Sequence, residues 1–188
     1  MWHSKIREEA GFTLLEAMLS IAIMGIVGGM AAASLGEARR VMQGDGAMRI
    51  VLSELNTARD MAMTQRRNME VQFIGGTWVR TVRHEAPGIA TTIVRNVALE
   101  SNATFSQVSG VPDTPDAFGA TAPVAFGAAQ VIQFGTDGTL IDGNGNPVNG
   151  TVFLAIANQP LTVRAVTVLG ATGRVRGYKW ANGAWKRV

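Results

Sequence analysis

The chain has 188 residues, of which 47% are hydrophobic and 16% charged, and its formal net charge is +3. This length suits one membrane anchor and one modest domain, and the absence of cysteine excludes a fold held together by disulfides. The charge is unevenly distributed, because no acidic residue follows Asp142 while the basic residues continue with Arg164, Arg174, Arg176, Lys179, Lys186 and Arg187.

Residues 12–35 form an apolar run in which Glu16 is the one charged residue. At about 1.5 Å per helical residue the run reaches roughly 36 Å, which is enough to cross a hydrocarbon core of about 30 Å. An ionised carboxylate at the centre of a bilayer costs about 2.5–3.5 kcal/mol. Glu16 lies one turn inside the run and can partly reach the interface, but a simple anchor has no need of it. The sequence therefore predicts a membrane span in which the carboxylate of Glu16 has a functional role.

The residues before this run are short and polar and end in a glycine. In a secretory signal the apolar stretch precedes the cleavage site, whereas here a charged leader and Gly11 come first. The segment Gly11-Phe-Thr-Leu-Leu-Glu16 resembles the signal of type IV prepilins. The resemblance implies cleavage by a prepilin peptidase after Gly11 and methylation of the new amino terminus on Phe12. It also implies that Glu16 neutralises the terminal amine of a neighbouring subunit.

The charges that flank the span leave its orientation open, because Lys5 and Arg7 are offset by two acids while Arg39 and Arg40 follow the span. A cytoplasmic N terminus is thus implied by the prepilin resemblance alone. Small residues recur every four positions within the span, which lets helices approach closely in lipid; they are Gly25, Gly29 and Ala33, and Gly28, Ala32 and Gly36. We favour tight packing of subunits over a loosely held, glycine-rich anchor, because the motif around Glu16 independently indicates an arrangement of several subunits.

After Gly36 the pattern becomes that of an amphipathic helix continuing to about Arg67. Its apolar stripe comprises Met48, Val51, Leu52, Leu55, Ala58 and Ala62. Charged residues such as Glu54 and Arg59 are expected on the other faces. The segment Gly44-Asp-Gly46 is expected to weaken the helix, because glycine is a poor helix former.

From Asn68 onward the sequence is rich in β-branched residues that alternate with polar ones, which predicts strands. The predicted strands are 69–74, 77–83, 91–97, 131–134, 151–156, 161–169 and 174–180. Gly75-Gly76 is expected to form a two-residue hairpin turn, and residues 106–130 a long surface loop. A helix followed by strands predicts an α+β fold in which an antiparallel sheet covers the apolar stripe of the helix.

Three segments of this predicted head resemble the GspH/FimT family of minor pseudopilins and minor type IV pilins. They are Ala58-Arg-Asp-Met-Ala62, Ile132-Gln-Phe134 with Gly138, and Val166-Thr-Val168 with Gly173-Arg-Val-Arg176. The resemblance implies a pilin-like fold and a structural role in a filament. Residues 84–130 match no segment of that family.

The basic C-terminal segment has two interpretations. Clustered cations bind phosphates and interleaved aromatic residues can stack on bases, and the segment also resembles the Gly-Arg-x-Arg region of DNA-binding FimT-type pilins. The resemblance makes five residues candidates for DNA binding: Arg174, Arg176, Lys179, Lys186 and Arg187. The alternative is a final hairpin in which Arg174, Arg176 and Tyr178 occupy one exposed face.

No other motif indicates a site of chemistry. Asp142, Asn144 and Asn146 have the oxygen spacing of a calcium loop, but Pro147 and Phe153 replace its glycine and its bidentate glutamate, so that turn chemistry is the favoured interpretation. No phosphate-binding loop, nucleophile–base pair or paired acids stand out, and neither histidine has a partner at metal-ligand spacing. We therefore expect no enzyme, no metal and no cofactor.

These observations predict a leader at residues 1–11, a transmembrane and filament-core helix at 12–35, and a periplasmic α+β head at 36–188. The expected protein is a single-pass bacterial inner-membrane subunit of a type II secretion pseudopilus or a type IV pilus, near its tip. Its expected partners are other pilins or pseudopilins, the inner-membrane assembly platform and prepilin peptidase. A FimT-type DNA-binding pilin and a merely anchored sheet module are the alternatives.

Overall fold

The computed structural model describes residues 13–188, with residue 33 described by its backbone alone. The chain divides into two compact units, one reaching to Ala38 and the other spanning Arg39–Val188. One helix, α1 (Leu14–Gln65), belongs to both units. The strands that follow are β1 (Met69–Ile74), β2 (Trp78–His84), β3 (Thr91–Ala98), β4 (Ala103–Phe105), β5 (Val124–Ala125), β6 (Ile132–Phe134), β7 (Leu140–Asp142), β8 (Gly150–Ile156), β9 (Gln159–Leu169), β10 (Arg174–Ala181) and β11 (Ala184–Arg187), with a 3-10 turn at Gly170–Thr172.

The strands of the second unit form two antiparallel sheets. The first sheet has the order β3-β2-β1-β6-β7, and the second has the order β11-β10-β9-β8-β4, with β5 also pairing with β8. The predicted apolar stripe of α1 is confirmed, since Met48, Val51 and Leu55 are fully buried together with residues of both sheets. The predicted α+β architecture is therefore confirmed, although two sheets rather than one cover the helix.

Helix α1 is not interrupted at residues 44–46, contrary to the expectation from its glycines. Tertiary contacts explain the difference. The position of a Cβ on Gly44 would lie 2.8 Å from the carbonyl oxygen of Thr162, so that only glycine lets β9 approach the helix this closely. Asp45 accepts a hydrogen bond of 2.7 Å from Nε of the fully buried Arg164, whose other nitrogens donate to the carbonyls of Val41, Leu161 and Val163.

Another polar residue of α1 is also buried against expectation. The side chain of Glu54 is only 4% exposed, and it accepts two hydrogen bonds from the guanidinium of Arg95 on β3, at 2.6 and 2.8 Å. The helical pattern placed Glu54 away from the stripe, but β3 brings a cation to that side of the helix. The pair links the edge strand of the first sheet to α1.

Most predicted strands are observed, with boundaries shifted by one or two residues. The hairpin between β1 and β2 differs, because Ile74 pairs with Trp78 and the turn therefore contains three residues, Gly75 to Thr77. The sequence did not predict β4, β5 and β7, which have only two or three residues each. Residues 106–130 are also not a plain surface loop, since they include β5 and the buried Thr114 and Phe126.

Candidate functional sites in the N-terminal helix and the C-terminal hairpin

The threonine of the N-terminal motif caps the start of the helix. Thr13 precedes α1, and its hydroxyl oxygen accepts a hydrogen bond of 3.2 Å from the backbone N–H of Glu16, which caps the first turn. Glu16 itself lies in that first turn, where the helix dipole favours a negative charge. Its carboxylate is exposed and forms no ion pair between residues 13 and 188. Gly11 and Phe12 lie outside the described residues.

The first unit leaves its apolar side chains uncovered. Leu14 is 79% exposed and Ile21 70%, and the neighbouring large apolar residues are similarly accessible. A Cβ placed on Gly25, Gly28 or Gly29 would meet no atom within 4 Å. An 18-residue window of the helix has a mean hydropathy of 2.0, so that by length and composition it is apolar enough to cross a membrane. A bilayer or other copies of the helix could cover this surface.

The basic C-terminal residues lie on two faces of the second sheet. In the hairpin of β10 and β11, Tyr178 pairs with Arg187, and Lys179 pairs with Lys186. Successive side chains of a strand point to opposite faces, and Gly177 faces Met48 and Leu52 of α1. Lys179 and Lys186 therefore share the helix side of the sheet, whereas the arginines point to its outer face: Arg174, Arg176 and Arg187.

The outer face of this sheet is covered by residues 106–123, here called the strap. Asp116 on the strap forms an ion pair with Arg176. Its other carboxylate oxygen accepts hydrogen bonds from the hydroxyls of Thr167 at 2.6 Å and Tyr178 at 2.9 Å. Asp116 thus joins the strap to two neighbouring strands, β9 and β10.

Electrostatics stabilise the charged form of Asp116. Burial works to raise the pKa of Asp116, but the hydrogen bonds from Thr167 and Tyr178 and the charge of Arg176 outweigh it, so that the pKa lies below its ordinary value. Burial and the adjacent Asp116 raise the pKa of Tyr178. At neutral pH the network therefore contains an ionised carboxylate and a neutral phenol.

Aromatic side chains complete the cover. Trp180 and Trp185 pack edge to face with ring centroids 5.3 Å apart, and Trp185 also packs against Phe153. The indole N–H of Trp185 donates a hydrogen bond of 3.0 Å to the carbonyl of Pro112 in the strap. The sequence interpretation that Arg176 and Tyr178 are exposed is therefore wrong, since Tyr178 is only 5% exposed and Arg176 is paired.

The sequence did not lead us to predict that the strap pairs with the basic C-terminal segment, although it contains a pattern that indicates this pairing. Asp113 and Asp116 are the only acids between Glu100 and Asp137. Asp113 fixes the strap itself, since its carboxylate accepts hydrogen bonds from the backbone N–H groups of Thr114 and Gly119. Two acids in a segment of proline and small residues, in a chain with a basic end, could have indicated this pairing.

The three head segments of the family resemblance meet at one place. The guanidinium Nε of Arg59 donates a hydrogen bond of 3.1 Å to the carbonyl oxygen of Gly138. Gly173 has a φ of +60°, and a Cβ there would overlap that same carbonyl oxygen and contact Arg59. Ala58 and Ala62 are fully buried. These residues hold α1 to the two sheets, so that the shared segments have a role in the fold.

The loop after β7 is built by its own hydrogen bonds. The carboxylate of Asp142 accepts hydrogen bonds from the backbone N–H groups of Asn144 at 2.9 Å and Asn146 at 2.8 Å, which is the turn chemistry favoured by the sequence. These bonds lower the pKa of Asp142, although burial opposes them. In the part of the chain that the structure describes, no three acidic or histidine residues are grouped as metal ligands.

Comparisons with known proteins agree with this geometry. Residues 6–32 match the family model of the prokaryotic N-terminal methylation motif. The fold is similar to a crystal structure of the type IV minor pilin FimU of Pseudomonas aeruginosa, with a TM-score of 0.50 and 16% sequence identity over 76% of this chain and 91% of that one. The chain is thus similar to type IV prepilins at its N terminus, and its fold is that of a pilin. No significant match was found among curated proteins.

Proposed function

We propose that the protein is a minor pilin-type structural subunit of the GspH/FimT kind, which assembles into a filament through its N-terminal helix. The observation that carries the proposal is the uncovered apolar helix, which follows a prepilin-type motif and starts with an exposed carboxylate in its first turn. In the proposed filament Glu16 neutralises the N-terminal amine of the next subunit, and the small residues of the helix let subunits pack closely. The second unit then provides lateral contacts in the periplasm.

The proposed leader is residues 1–11, cleaved by prepilin peptidase, and the proposed first residue of the mature protein is methylated Phe12. Residues 12–35 would cross the inner membrane before assembly, with residues 36–188 in the periplasm. The test is mass spectrometry of the N-terminal peptide of the membrane-extracted protein. A mature protein that still begins at Met1 would refute the processing.

The role of Glu16 is testable with a matched control on the same helix. We expect Glu16→Ala to be processed and inserted but to be absent from isolated filaments, because the terminal amine of its neighbour would lose its counter-ion. Glu37→Ala removes another exposed acid from the helix and should be incorporated normally. Equal incorporation of both variants would refute the assembly role of Glu16.

Within this role we favour a type II secretion pseudopilus, with the subunit at or near the tip and in contact with the assembly platform. A type IV pilus is the alternative, and neighbouring genes for secretion or for pilus components would distinguish the two. A sheet module that is merely anchored in the membrane is the remaining structural alternative. It would be supported if neither processing nor filament incorporation were observed.

DNA binding is the second candidate function, and the exposed cations of the C-terminal hairpin favour it. Arg174, Lys186 and Arg187 are exposed, and their side chains make no hydrogen bond or ion pair within residues 13–188. Lys179 is half-buried and Arg176 is held by Asp116. We therefore expect the three exposed cations to carry most of any contact with phosphates.

The assay for DNA binding uses the full chain in neutral phosphatidylcholine nanodiscs at several salt concentrations. A triple alanine variant of Arg174, Lys186 and Arg187 should abolish a salt-dependent shift. A control variant with alanine at Arg39, Arg40 and Arg49 loses the same charge from exposed positions of α1 and should retain the salt-dependent shift. Absence of salt-dependent binding by the wild-type chain would remove this candidate.

A further inference from the structure

The first sheet has an open edge beside the second half of β1. β6 pairs with β1 along Met69–Val71 only, and continuation of that register would place Gln130 opposite Phe73. The carbonyl of Ile74 accepts a hydrogen bond from the N–H of Thr77, in the turn that leads to β2, and Ile74 pairs with Trp78, so that this carbonyl lies on the β2 side of the strand. Backbone groups alternate between the two sides of an antiparallel strand, so that the N–H and C=O of Phe73 point away from β2. No backbone hydrogen bond joins Phe73 to the described residues 127–131.

A groove of about 420 Å³ lies at this open edge. It is lined by residues 70–73 of β1, by Gly127 and by residues 129–132, and three aromatic rings contribute to it. Phe73 packs edge to face on Phe105 at a centroid distance of 5.2 Å, and it stacks with Phe126 at 6.1 Å. This volume lies within the range of about 300–1,000 Å³ that is typical of ligand-binding clefts.

The polar rim of the groove carries no unpaired charge. Among its described lining residues Glu70 is the one that ionises. The carboxylate of Glu70 accepts a hydrogen bond from the side-chain amide of Gln72 at 2.7 Å and contacts Nε2 of His84 at 2.9 Å. A charged ligand group would thus find no free counter-charge, whereas an apolar group would contact the phenylalanines.

We propose that this groove binds an extended polypeptide segment of a partner protein, which pairs with the backbone of Phe73 and places an aliphatic or aromatic side chain against Phe73, Phe105 and Phe126. A peptide backbone supplies the hydrogen-bond acceptor and donor that the unpaired N–H and C=O of a strand edge need. Addition of a strand is a common mode of peptide recognition. An apolar small molecule would fill the groove without satisfying both backbone groups. The inference concerns the second unit alone and therefore goes beyond the proposed filament role.

The first test selects peptides and then blocks the groove. Decapeptides from a random phage library are selected on the full chain in phosphatidylcholine nanodiscs, and the enriched peptide is titrated by fluorescence anisotropy. Ala129 lines the groove and is half-buried, whereas its neighbour Ala128 is exposed and lies outside this groove. We expect Ala129→Phe to weaken binding by about tenfold or more, which corresponds to about 1.4 kcal/mol, and Ala128→Phe to change it by less than about twofold. Equal effects of the two variants, or a library without any enriched peptide, would overturn the proposal.

The second test uses the wild-type chain and does not depend on the folding of a variant. Hydrogen–deuterium exchange of the fragment that contains Phe73 should slow by about tenfold when the selected peptide is bound, because its amide gains a partner. Methylation of the peptide nitrogens, one position at a time, should abolish binding at the alternate positions that face β1. A peptide that binds without protecting Phe73, or that tolerates every methylation, would contradict strand pairing.

Discussion

Two glycines of α1, two residues apart, are predicted to respond to alanine with opposite signs. In a helix interior alanine is favoured over glycine by about 1 kcal/mol, and this gain applies equally to Gly44 and Gly46. A Cβ at residue 46 would meet no atom within 4 Å. Gly46→Ala should therefore stabilise the protein by about 0.5–1 kcal/mol.

At Gly44 the same Cβ would lie 2.8 Å from the carbonyl oxygen of Thr162 and 2.9 Å from its Cα. Both are backbone atoms of β9, and the guanidinium carbon of Arg164 lies 3.2 Å away on the same side. Relief of this overlap requires the helix and strand to separate, and overpacking of this kind costs about 1–3 kcal/mol or more. The separation also strains the hydrogen bond between Arg164 and Asp45. Because two of the three close atoms belong to the backbone, we expect the cost in the upper half of this range, about 2–3 kcal/mol, and subtraction of the helix gain of about 1 kcal/mol leaves a net destabilisation of about 1–2 kcal/mol.

Thermal unfolding followed by tryptophan fluorescence measures both variants against the wild type under one set of conditions. For a domain of this size about 1 kcal/mol shifts the Tm by roughly 2–4 °C. We expect the Tm to fall by about 2–8 °C for Gly44→Ala and to rise by about 1–4 °C for Gly46→Ala. A Gly44→Ala variant as stable as the wild type, or more so, would refute the claim that close approach of β9 requires glycine.

Two further predictions concern the second unit. In urea unfolding, Gly173→Ala should destabilise the protein by about 2–4 kcal/mol, because its Cβ overlaps the carbonyl of Gly138 and residue 173 has a positive φ. Gly183→Ala also has a positive φ, without the overlap, and should cost only about 1 kcal/mol. Equal losses of stability in the two variants would contradict the steric argument. Asp116→Asn should lower the free energy of unfolding at pH 7 by about 1–3 kcal/mol, since it removes the charge that pairs with Arg176. Because the pKa of Asp116 is depressed in the folded state, its stabilisation is present above the unfolded pKa of about 3.9 and is lost as the pH falls through the folded value. The difference between wild type and variant should thus be constant from about pH 5 to pH 7 and shrink below about pH 4; a difference that does not shrink would refute the role of the ionised carboxylate.

The sequence by itself determined the features that depend on local pattern. The apolar run with Glu16 identified the N-terminal helix, and the prepilin-type motif around it matches a family model. The spacing of Met48, Val51 and Leu55 identified the buried stripe, because an amphipathic helix packs its apolar face on the core regardless of which elements form that core. Alternation and β-branched residues likewise located long strands such as β1 and β2.

Other features depend on residues that are distant in the chain, and only the tertiary structure decided them. Propensity predicts a weak helix at Gly44, but contact with Thr162 of β9 makes glycine necessary there. The helical pattern assigns Glu54 to solvent, yet Arg95 lies 41 positions away and pairs with it in the buried region. In the same way Asp116 lies 60 positions before Arg176. The sequence pattern therefore predicts an exposed, basic C-terminal segment, whereas in the structure Asp116 covers part of that segment and neutralises one of its charges. The local sequence determines the secondary-structure preference of each residue. The charged partners and the free volume around its side chain depend on which strands pack together.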